Sequence, residues 1–268
     1  MPARFPERIV CLTEETTETL YLLGEERRIV GISGYTVRPP RARREKPRVS
    51  AFLSARMDRI TELKPDLVLG FSDLQADIAR DLARAGLNVV LFNQRSVQEI
   101  LDTIGMLASL VGASDKGAAL VGRLEKNLAA IRESAKAFPR RPRVYFEEWD
   151  EPMISAIRWV SELIEIAGGE DVFRELSLSR AASGRVIPDG KIVVAKKPEI
   201  ILGSWCGKKY RPERVAARPG WQEVPAVKAG RLYEVKSAEI LQPGPAALTD
   251  GVRRIHSVLA SFFSSSGA

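Results

Sequence analysis

The sequence has 268 residues, of which 45% are apolar and 28% are charged, and this is enough chain for two domains with sizeable cores. No apolar run approaches the ~18 residues of a membrane-spanning helix, so we predict no transmembrane segment. The formal charge of +7 makes nucleic acid a partner class to be weighed.

The start of the chain and its cysteines bear on location. The first residues, MPARFPERIVCL, lack the apolar segment of a signal peptide. We therefore expect a cytoplasmic protein as the sequence is written, or a periplasmic one if the sequence is a processed form. Cys11 and Cys206 lie in or just after strand-like runs, and no structural disulfide is expected.

The first predicted element is the strand in RIVCLTEE at 8–15, which ends at Glu14 and Glu15. An amphipathic helix and a second strand follow in TLYLLGEERRIVGIS at 19–33, and Tyr35 comes shortly after that strand. Polar and aromatic residues therefore follow both of the first two predicted strands.

A basic segment, VRPPRARREKPRVS at 37–50, supplies much of the net charge. It has no aromatic residues between its cations, and no DNA-binding or RNA-binding motif surrounds it. We therefore predict a solvated loop and no nucleic-acid partner. Its cations are Arg38, Arg41, Arg43, Arg44, Lys46 and Arg48.

The phrase KPDLVLG at 64–70 predicts a buried parallel strand. Proline disfavours helical geometry in the residue before it, so Lys-Pro ends a helix. A short apolar run covered on both faces follows, and glycine is expected to let the backbone turn. Another strand lies in RAGLNVVLFN at 84–93. The residues that follow these two strands are Phe71, Ser72, Asn93 and Gln94.

A long helix is predicted over 115–137, where apolar residues recur at helical spacing. At 1.5 Å per residue it would be ~34 Å long, which makes it a strut between two lobes. We therefore predict an N-terminal α/β lobe at 1–112, a connecting backbone helix at 113–138 and a C-terminal α/β lobe at 139–268.

The second half of the chain repeats the first. KPDLVLG at 64–70 recurs as KPEIILG at 197–203, and three further landmarks recur in the same order, at offsets of 133 to 144 residues. The fold class predicted from this repeat is α/β, with two similar Rossmann-like lobes. The three further repeats are RVYFEEWDE at 143–151, LIEIAGGEDVFRELS at 163–177 and KAGRLYEVKS at 228–237.

Ligands of open α/β sheets bind beyond the carboxyl ends of the strands, so we expect a ligand cleft between the two lobes. Its predicted residues are aromatic or polar, which suits a large flat ligand, and each ring would contribute ~2.5 kcal/mol. Of Glu147 and Glu148, one is expected to face the ligand, since neighbouring strand residues point in opposite directions. The predicted ligand-binding residues are Glu14, Glu15, Tyr35, Phe71, Ser72, Asn93, Gln94, Glu148, Trp149, Trp205 and Glu239.

Two such lobes on one helix resemble the helical-backbone (class III) periplasmic binding proteins, and the chain is most similar to their cobalamin-binding branch. The similarity is carried by the stretches quoted above and by ISAIRWVSELIEIAGGEDVF, a Trp-containing helix before Ala-Gly-Gly. The resemblance implies a non-catalytic substrate-binding component of an ABC importer, with a vitamin B12-like corrinoid as ligand. It also implies docking on a permease through one acidic residue in each lobe, here Asp77 and Glu213.

Other ligands and roles stay open. A haem would need an axial ligand, for which Tyr35 is a candidate, whereas His256 is interpreted as an ordinary helix-face residue. A ferric siderophore is a further alternative. The protein could also be a soluble carrier or sensor instead of an importer component.

An enzyme is the competing class, with carboxylates such as Glu14 and Glu147 facing each other across the cleft. The sequence has no GxSxG, P-loop or GxGxxG motif and no metal-ligand spacing, so we predict no catalytic residue, no catalytic cofactor and no metal site. We expect a monomer.

Overall fold

Strands and helices alternate from β1 (Ile9–Cys11) onward. The structure is a computed structural model that describes residues 5–264. The first four and last four residues, which the predicted lobes at 1–112 and 139–268 include, lie outside the described residues. Up to the long helix, the elements are β1 (Ile9–Cys11), α1 (Glu14–Leu22), β2 (Ile29–Ser33), α2 (Ala42–Glu45), β3 (Arg48–Ser50), α3 (Met57–Glu62), β4 (Leu67–Phe71), α4 (Ala76–Arg84), β5 (Val89–Phe92), α5 (Val97–Leu110) and α6 (Ser114–Ala135).

The chain divides into two units inside its longest helix. The first unit runs to Gln94 and includes Gln98–Leu124, and the second comprises Arg95–Val97 and the chain from Glu125. The helix expected over 115–137 is observed as α6. Its buried apolar side chains, spaced three or four apart, are Leu120, Leu124, Leu128 and Ile131.

A five-stranded sheet in the order β3-β2-β1-β4-β5 forms the first unit, and every pairing in it is parallel. Its central strand is covered on both faces: Ile9 and Cys11 pack into one apolar cluster, and Val10 and Leu12 pack into another. Because the five strands run in the same direction, their carboxyl ends share one edge of the sheet.

The second unit also has a mainly parallel sheet. β6 pairs in parallel with β8 and β9, β9 pairs in parallel with β10, and β7 pairs antiparallel with β6. The elements are β6 (Arg143–Asp150), β7 (Met153–Ser155), α7 (Arg158–Ile166), β8 (Glu170–Asp171), α8 (Arg174–Ser177), α9 (Gly190–Lys196), β9 (Ile200–Gly203), α10 (Pro212–Ala216), α11 (Pro225–Lys228), β10 (Leu232–Glu234), α12 (Ser237–Ile240) and α13 (Val252–Ser264).

The predicted repeat of two α/β lobes is confirmed by the strand pairings. In the first unit, β1 pairs with β2 and β4, and β4 pairs with β5. In the second unit, β6 takes the place of β1: it pairs with β8 and β9, and β9 pairs with β10. The second unit differs where β6 continues to Asp150 and turns back as β7. Glu148 and Trp149, expected just after a strand, therefore lie within one.

The two copies of the Lys-Pro phrase share a backbone conformation. Lys64 and Lys197 both adopt a left-handed conformation, with φ of 45° and 47°. The expectation that the glycine ending each phrase makes a turn is wrong. Gly70 and Gly203 lie in β4 and β9, where a Cβ on Gly70 would come 2.6 Å from Leu91 and a Cβ on Gly203 would overlap the ring of Tyr210. The glycines allow close packing on the strand.

The basic segment at 37–50 is more ordered than the predicted loop. It contains α2 and the edge strand β3. Arg38 donates to Glu18 at 2.9 Å, and Arg41 lies 4.8 Å from the Tyr21 ring centroid. Two of its cations are therefore held against α1, and the segment forms part of the first unit's sheet.

Candidate functional site

The carboxyl end of β1 leads directly into the first turn of α1, where Glu14 and Glu15 lie. Glu15 is 3% exposed, and its Oε1 accepts a hydrogen bond of 2.6 Å from the Thr13 hydroxyl. The Thr16 hydroxyl donates to the Thr13 carbonyl at 3.1 Å. The TEET stretch thus forms hydrogen bonds within itself, around the nearly buried carboxyl group of Glu15.

These carboxyl groups hold their protons to unusually high pH. Burial, followed by repulsion from Glu15 and Glu18, raises the pKa of Glu14 to about 8. Burial also raises the pKa of Glu15 to about 7, although the Thr13 hydrogen bond opposes the increase. Near neutral pH the pair is therefore only partly ionised and can both donate and accept hydrogen bonds.

Tyr35, shortly after β2, is 54% exposed, so the residue is accessible to a ligand. Beyond β4, Ser72 has a positive φ of 64°, and its hydroxyl accepts from the backbone N–H of Leu74 at 3.3 Å. Positive φ is uncommon outside glycine, and residues with such backbone angles cluster at ligand-binding sites.

The remaining predicted residues of the first unit differ in exposure. Phe71 is buried, and its backbone N–H donates to the Gln75 side chain at 2.9 Å. Asn93 is exposed, whereas Gln94 is buried. Phe71 therefore presents little ring surface, in contrast to the stacking role expected from its position after the phrase.

Buried hydroxyl groups without a hydrogen-bond partner lie at three strand ends. They belong to Thr36 after β2, Ser50 at the end of β3 and Ser204 after β9, and each lacks a partner among residues 5–264. Buried polar atoms are normally paired, so these hydroxyls are available to water or a polar ligand.

In the second unit, Glu147 and Glu148 have separate arginine partners. The fully buried Glu147 carboxylate binds Arg218 at 2.5 and 3.0 Å and also accepts from the Tyr145 hydroxyl at 2.9 Å. Glu148 binds the buried Arg185 at 2.6 and 3.1 Å. Neither arginine was predicted as a partner, although two successive acids in an otherwise apolar strand require nearby cations.

The two tryptophans proposed for stacking have different surroundings. Trp205 is 3% exposed and lies in the apolar core, where its Nε1 donates to Glu147 at 3.0 Å. Its ring therefore lacks the open face expected of it. Trp149 is half-buried, and the Lys208 ammonium lies 4.0 Å from its ring centroid, within cation–π range. Lys208 also pairs with Asp150 and was not anticipated.

The other predicted residues are one half-buried acid and two exposed acids. Glu239 is half-buried in α12. Asp77 is 85% exposed and pairs with Arg80 at 2.7 Å, and Glu213 pairs with Arg211 at 3.7 Å on an exposed surface. Exposed pairs of this kind are weak, so both acids remain accessible to a protein partner.

His256 binds two groups of its own unit. Its Nδ1 lies 3.0 Å from the Ala167 carbonyl and its Nε2 lies 3.1 Å from the Ser134 hydroxyl, while the ring stacks on Phe138. The structure thus agrees with an ordinary structural histidine. Within the described part of the chain, no three His, Cys, Asp or Glu side chains form a group that could hold a metal ion.

Both cysteines are free thiols. Burial raises the pKa of the Cys11 thiol to about 12, whereas Cys206 is exposed, and neither forms a disulfide.

None of the helices found between residues 5 and 264 is long and apolar enough to cross a bilayer.

Two parallel-sheet units that share one long helix, with carboxylates, hydroxyls and rings at their strand ends, define an α/β binding protein of two similar units. The chain belongs to the periplasmic binding protein family, which its sequence matches over residues 9–239.

Relatives of known name agree with this class. The chain is 26% identical over 259 residues to the uncharacterized ABC transporter substrate-binding lipoprotein YvrC of Bacillus subtilis, covering 93% of this chain and 79% of the relative. It is 24% identical to the vitamin B12-binding protein of Vibrio vulnificus, covering 90% and 86%. The apo form of the periplasmic heme-binding protein RhuT from Roseiflexus sp. RS-1 has a similar fold, with a TM-score of 0.80, 23% identity and coverage of 94% and 99%.

Proposed function

We propose that this protein is the substrate-binding component of an ABC importer and that its ligand is a cobalamin-like corrinoid, bound without catalysis. In the first unit, the proposed contacts are Glu14, Glu15, Tyr35, Ser72, Asn93 and Gln94. In the second unit, they are Glu148, Trp149 and Glu239. Phe71 and Trp205 support the neighbouring loops from within the cores.

The observation that carries this proposal is the pair of partly ionised carboxyl groups at the end of β1. A corrinoid has a rim of amides, each with a donor and an acceptor. A protonated carboxyl group donates to an amide carbonyl, and an ionised one accepts from an amide N–H, so either form of Glu14 can engage such a rim. An anionic ferric chelate is instead repelled by every carboxyl group that ionises.

The relatives give independent support. Proteins named for vitamin B12 or cobalamin match most of this chain. These relatives support the ligand class.

A titration followed by absorbance and calorimetry tests the ligand. We expect cyanocobalamin to bind with 1:1 stoichiometry and a Kd in the micromolar range or below. Glu14→Ala should weaken binding by about tenfold, as for one charge-assisted hydrogen bond. The matched control is Glu125→Ala, which removes an exposed acid from α6 and should leave Kd unchanged. Saturable binding of hemin with no heat from cyanocobalamin would overturn the proposal.

Haem is the second candidate because the hydroxyl group of the exposed residue Tyr35 could serve as an axial oxygen ligand. In that case Tyr35→Phe would abolish the change in the Soret absorbance band of added hemin. If cyanocobalamin is the ligand, Tyr35→Phe should change its Kd by less than about threefold, since only one hydroxyl is lost.

A further inference from the structure

A small concave surface lies between the edge strand β3 and helix α3, in the first unit. Its volume is about 230 Å³, which corresponds to roughly eight water molecules at about 30 Å³ each. This space suits a small polyatomic ion. The lining residues are Pro47, Arg48, Val49, Arg56, Arg59, Glu62 and Leu63.

The charge of this concavity is positive and mostly uncompensated. The guanidinium groups of Arg48 and Arg56 form no hydrogen bond or ion pair with any residue between 5 and 264. Arg59 contacts Glu62 at 3.2 Å, but both side chains are more than half exposed, and such pairs are weak. Three guanidinium groups against one carboxylate leave a formal charge of +2.

The three arginines are carried by ordered backbone. Arg48 begins β3, which pairs with β2. The backbone N–H of Arg56 donates to the Val49 carbonyl at 2.8 Å, which holds the start of α3 against β3. Arg59 lies on α3 next to Ile60, which is fully buried in the core. The backbone that positions the guanidinium groups therefore needs little ordering when a ligand binds.

We infer that this concavity is a binding site for a phosphate-class oxyanion, such as pyrophosphate or a terminal phosphate group. Guanidinium groups present forked pairs of donors that match phosphate oxygens, and several converging forks select a multiply charged oxyanion over chloride. Arg48 lies at the amino end of β3, whereas the proposed corrinoid contacts of the same unit follow the carboxyl ends of β1, β2, β4 and β5. The inference is therefore independent of the proposed function.

The basic segment at 37–50 gains a role from this site. Arg38 and Arg41 are used within the fold, as described above, but Arg48 is left without a partner. An unpaired arginine on an ordered strand beside two others is the feature that a solvated basic loop would lack.

Calorimetry with pyrophosphate, inorganic phosphate and sulfate at low ionic strength tests the inference. We expect pyrophosphate to bind with a submillimolar Kd and more tightly than sulfate. Arg48→Gln and Arg56→Gln should each weaken binding about five- to tenfold, and Glu62→Gln should strengthen it about two- to fivefold by removing the opposing charge. Arg84→Gln is the matched control, because Arg84 is an exposed, unpaired cation of the same unit outside the concavity; it should change Kd by less than twofold.

Three outcomes would overturn the inference. One is the absence of pyrophosphate binding to the folded wild-type protein. Another is an equal loss of affinity in Arg84→Gln and Arg48→Gln, which would indicate a general effect of net charge. The third is binding to vesicles of phosphatidylglycerol, or to duplex RNA, that depends on Arg48 while the affinity for pyrophosphate does not. Glu62→Gln keeps the test decisive if an arginine variant fails to fold, since an unchanged affinity in Glu62→Gln also contradicts the inference.

Discussion

Glu15 shows how a single side chain can make folding sensitive to pH. Its carboxyl group is almost completely buried, and its pKa is raised to about 7. An unfolded chain loses this proton near pH 4.5, so between pH 4.5 and 7 the folded protein binds more protons than the unfolded chain. The stability that comes from the protonated form is complete below about pH 4.5 and is lost as pH rises through 7.

Glu15→Gln should therefore flatten the pH dependence of stability. A shift of this size corresponds to about 3 kcal/mol at most, and the neutral amide avoids burying a charge while it can still accept from Thr13. We expect the variant to be more stable than wild type at pH 9, by on the order of 1–3 kcal/mol, and the difference to shrink toward pH 5. Urea unfolding at both pH values measures this. Glu125→Gln should show no such trend, and a constant difference for Glu15→Gln would contradict the argument.

Trp149 is the aromatic residue that we expect to contact the ligand. Trp149→Ala should weaken cyanocobalamin binding about 30- to 150-fold, since a buried stacking ring contributes ~2–3 kcal/mol. Trp205→Phe is the matched comparison, because its ring is in the core: it should lower the melting temperature through loss of the Glu147 hydrogen bond and leave Kd nearly intact. An unchanged Kd with a lower melting temperature in Trp149→Ala would remove Trp149 from the site.

At the scale of elements, the repeated Lys-Pro strand is the unit from which both sheets are built. In each copy a lysine in the left-handed conformation leads through proline into the strand beside the central one. The glycine near the end of the strand leaves room for a side chain from elsewhere in the same unit, Leu91 in one and Tyr210 in the other.

This packing predicts opposite effects for two glycine-to-alanine changes. Gly203→Ala should destabilise the protein by more than about 2 kcal/mol, because the added Cβ overlaps the buried Tyr210 ring. Gly122→Ala adds a methyl group with nothing within 4 Å on helix α6 and should stabilise it by roughly 0.5–1 kcal/mol. Thermal unfolding of both variants, measured side by side, checks the prediction; equal effects would mean that the ring moves aside without cost.

Sequence alone was sufficient for the repeated strands, because parallel strands covered on both faces leave continuous apolar runs. It did not predict the short strands β3 and β7. It was not sufficient for the partners of buried charges. Arg185 and Arg218 lie 37 and 71 residues from the glutamates they bind, and no local pattern connects them. The burial of Trp205 depends on the Tyr210 ring, which packs against it edge-on. It also depends on the path of the loop between the two residues, which is set by tertiary packing.

The extension of β6 had a similar cause. As the repeat of RIVCLTEE, the stretch RVYFEEWDE at 143–151 predicts a strand that ends at its acidic residues. Here Glu147 and Glu148 stay in the strand because Arg218 and Arg185 neutralise them. The predicted ligand contacts and domain boundaries remain predictions.

For the whole molecule, the proposed importer role requires a surface to which a permease can bind. Asp77 and Glu213, one in each unit, are exposed and only weakly paired. We expect Asp77→Arg and Glu213→Arg to change ligand Kd by less than twofold and stability by less than about 0.5 kcal/mol. Both should reduce ligand-stimulated ATP hydrolysis when the protein is added to its reconstituted permease.

Asp81→Arg is a suitable control for the docking test, because it reverses an exposed acid one turn along the same helix as Asp77. Equal loss of ATP hydrolysis in Asp77→Arg and Asp81→Arg would argue against a specific role for Asp77.

The contrast between the two cysteines also makes the protein a convenient optical reporter. Cys11 is buried and its thiol stays protonated at any working pH, so a maleimide dye should attach at Cys206 alone. Cys206 directly follows Trp205, within the loop that carries Lys208 to the face of Trp149. A dye at this position would sense displacement of Lys208 when a ligand reaches Trp149, so the natural sequence already contains the single attachment point that a fluorescent ligand sensor requires.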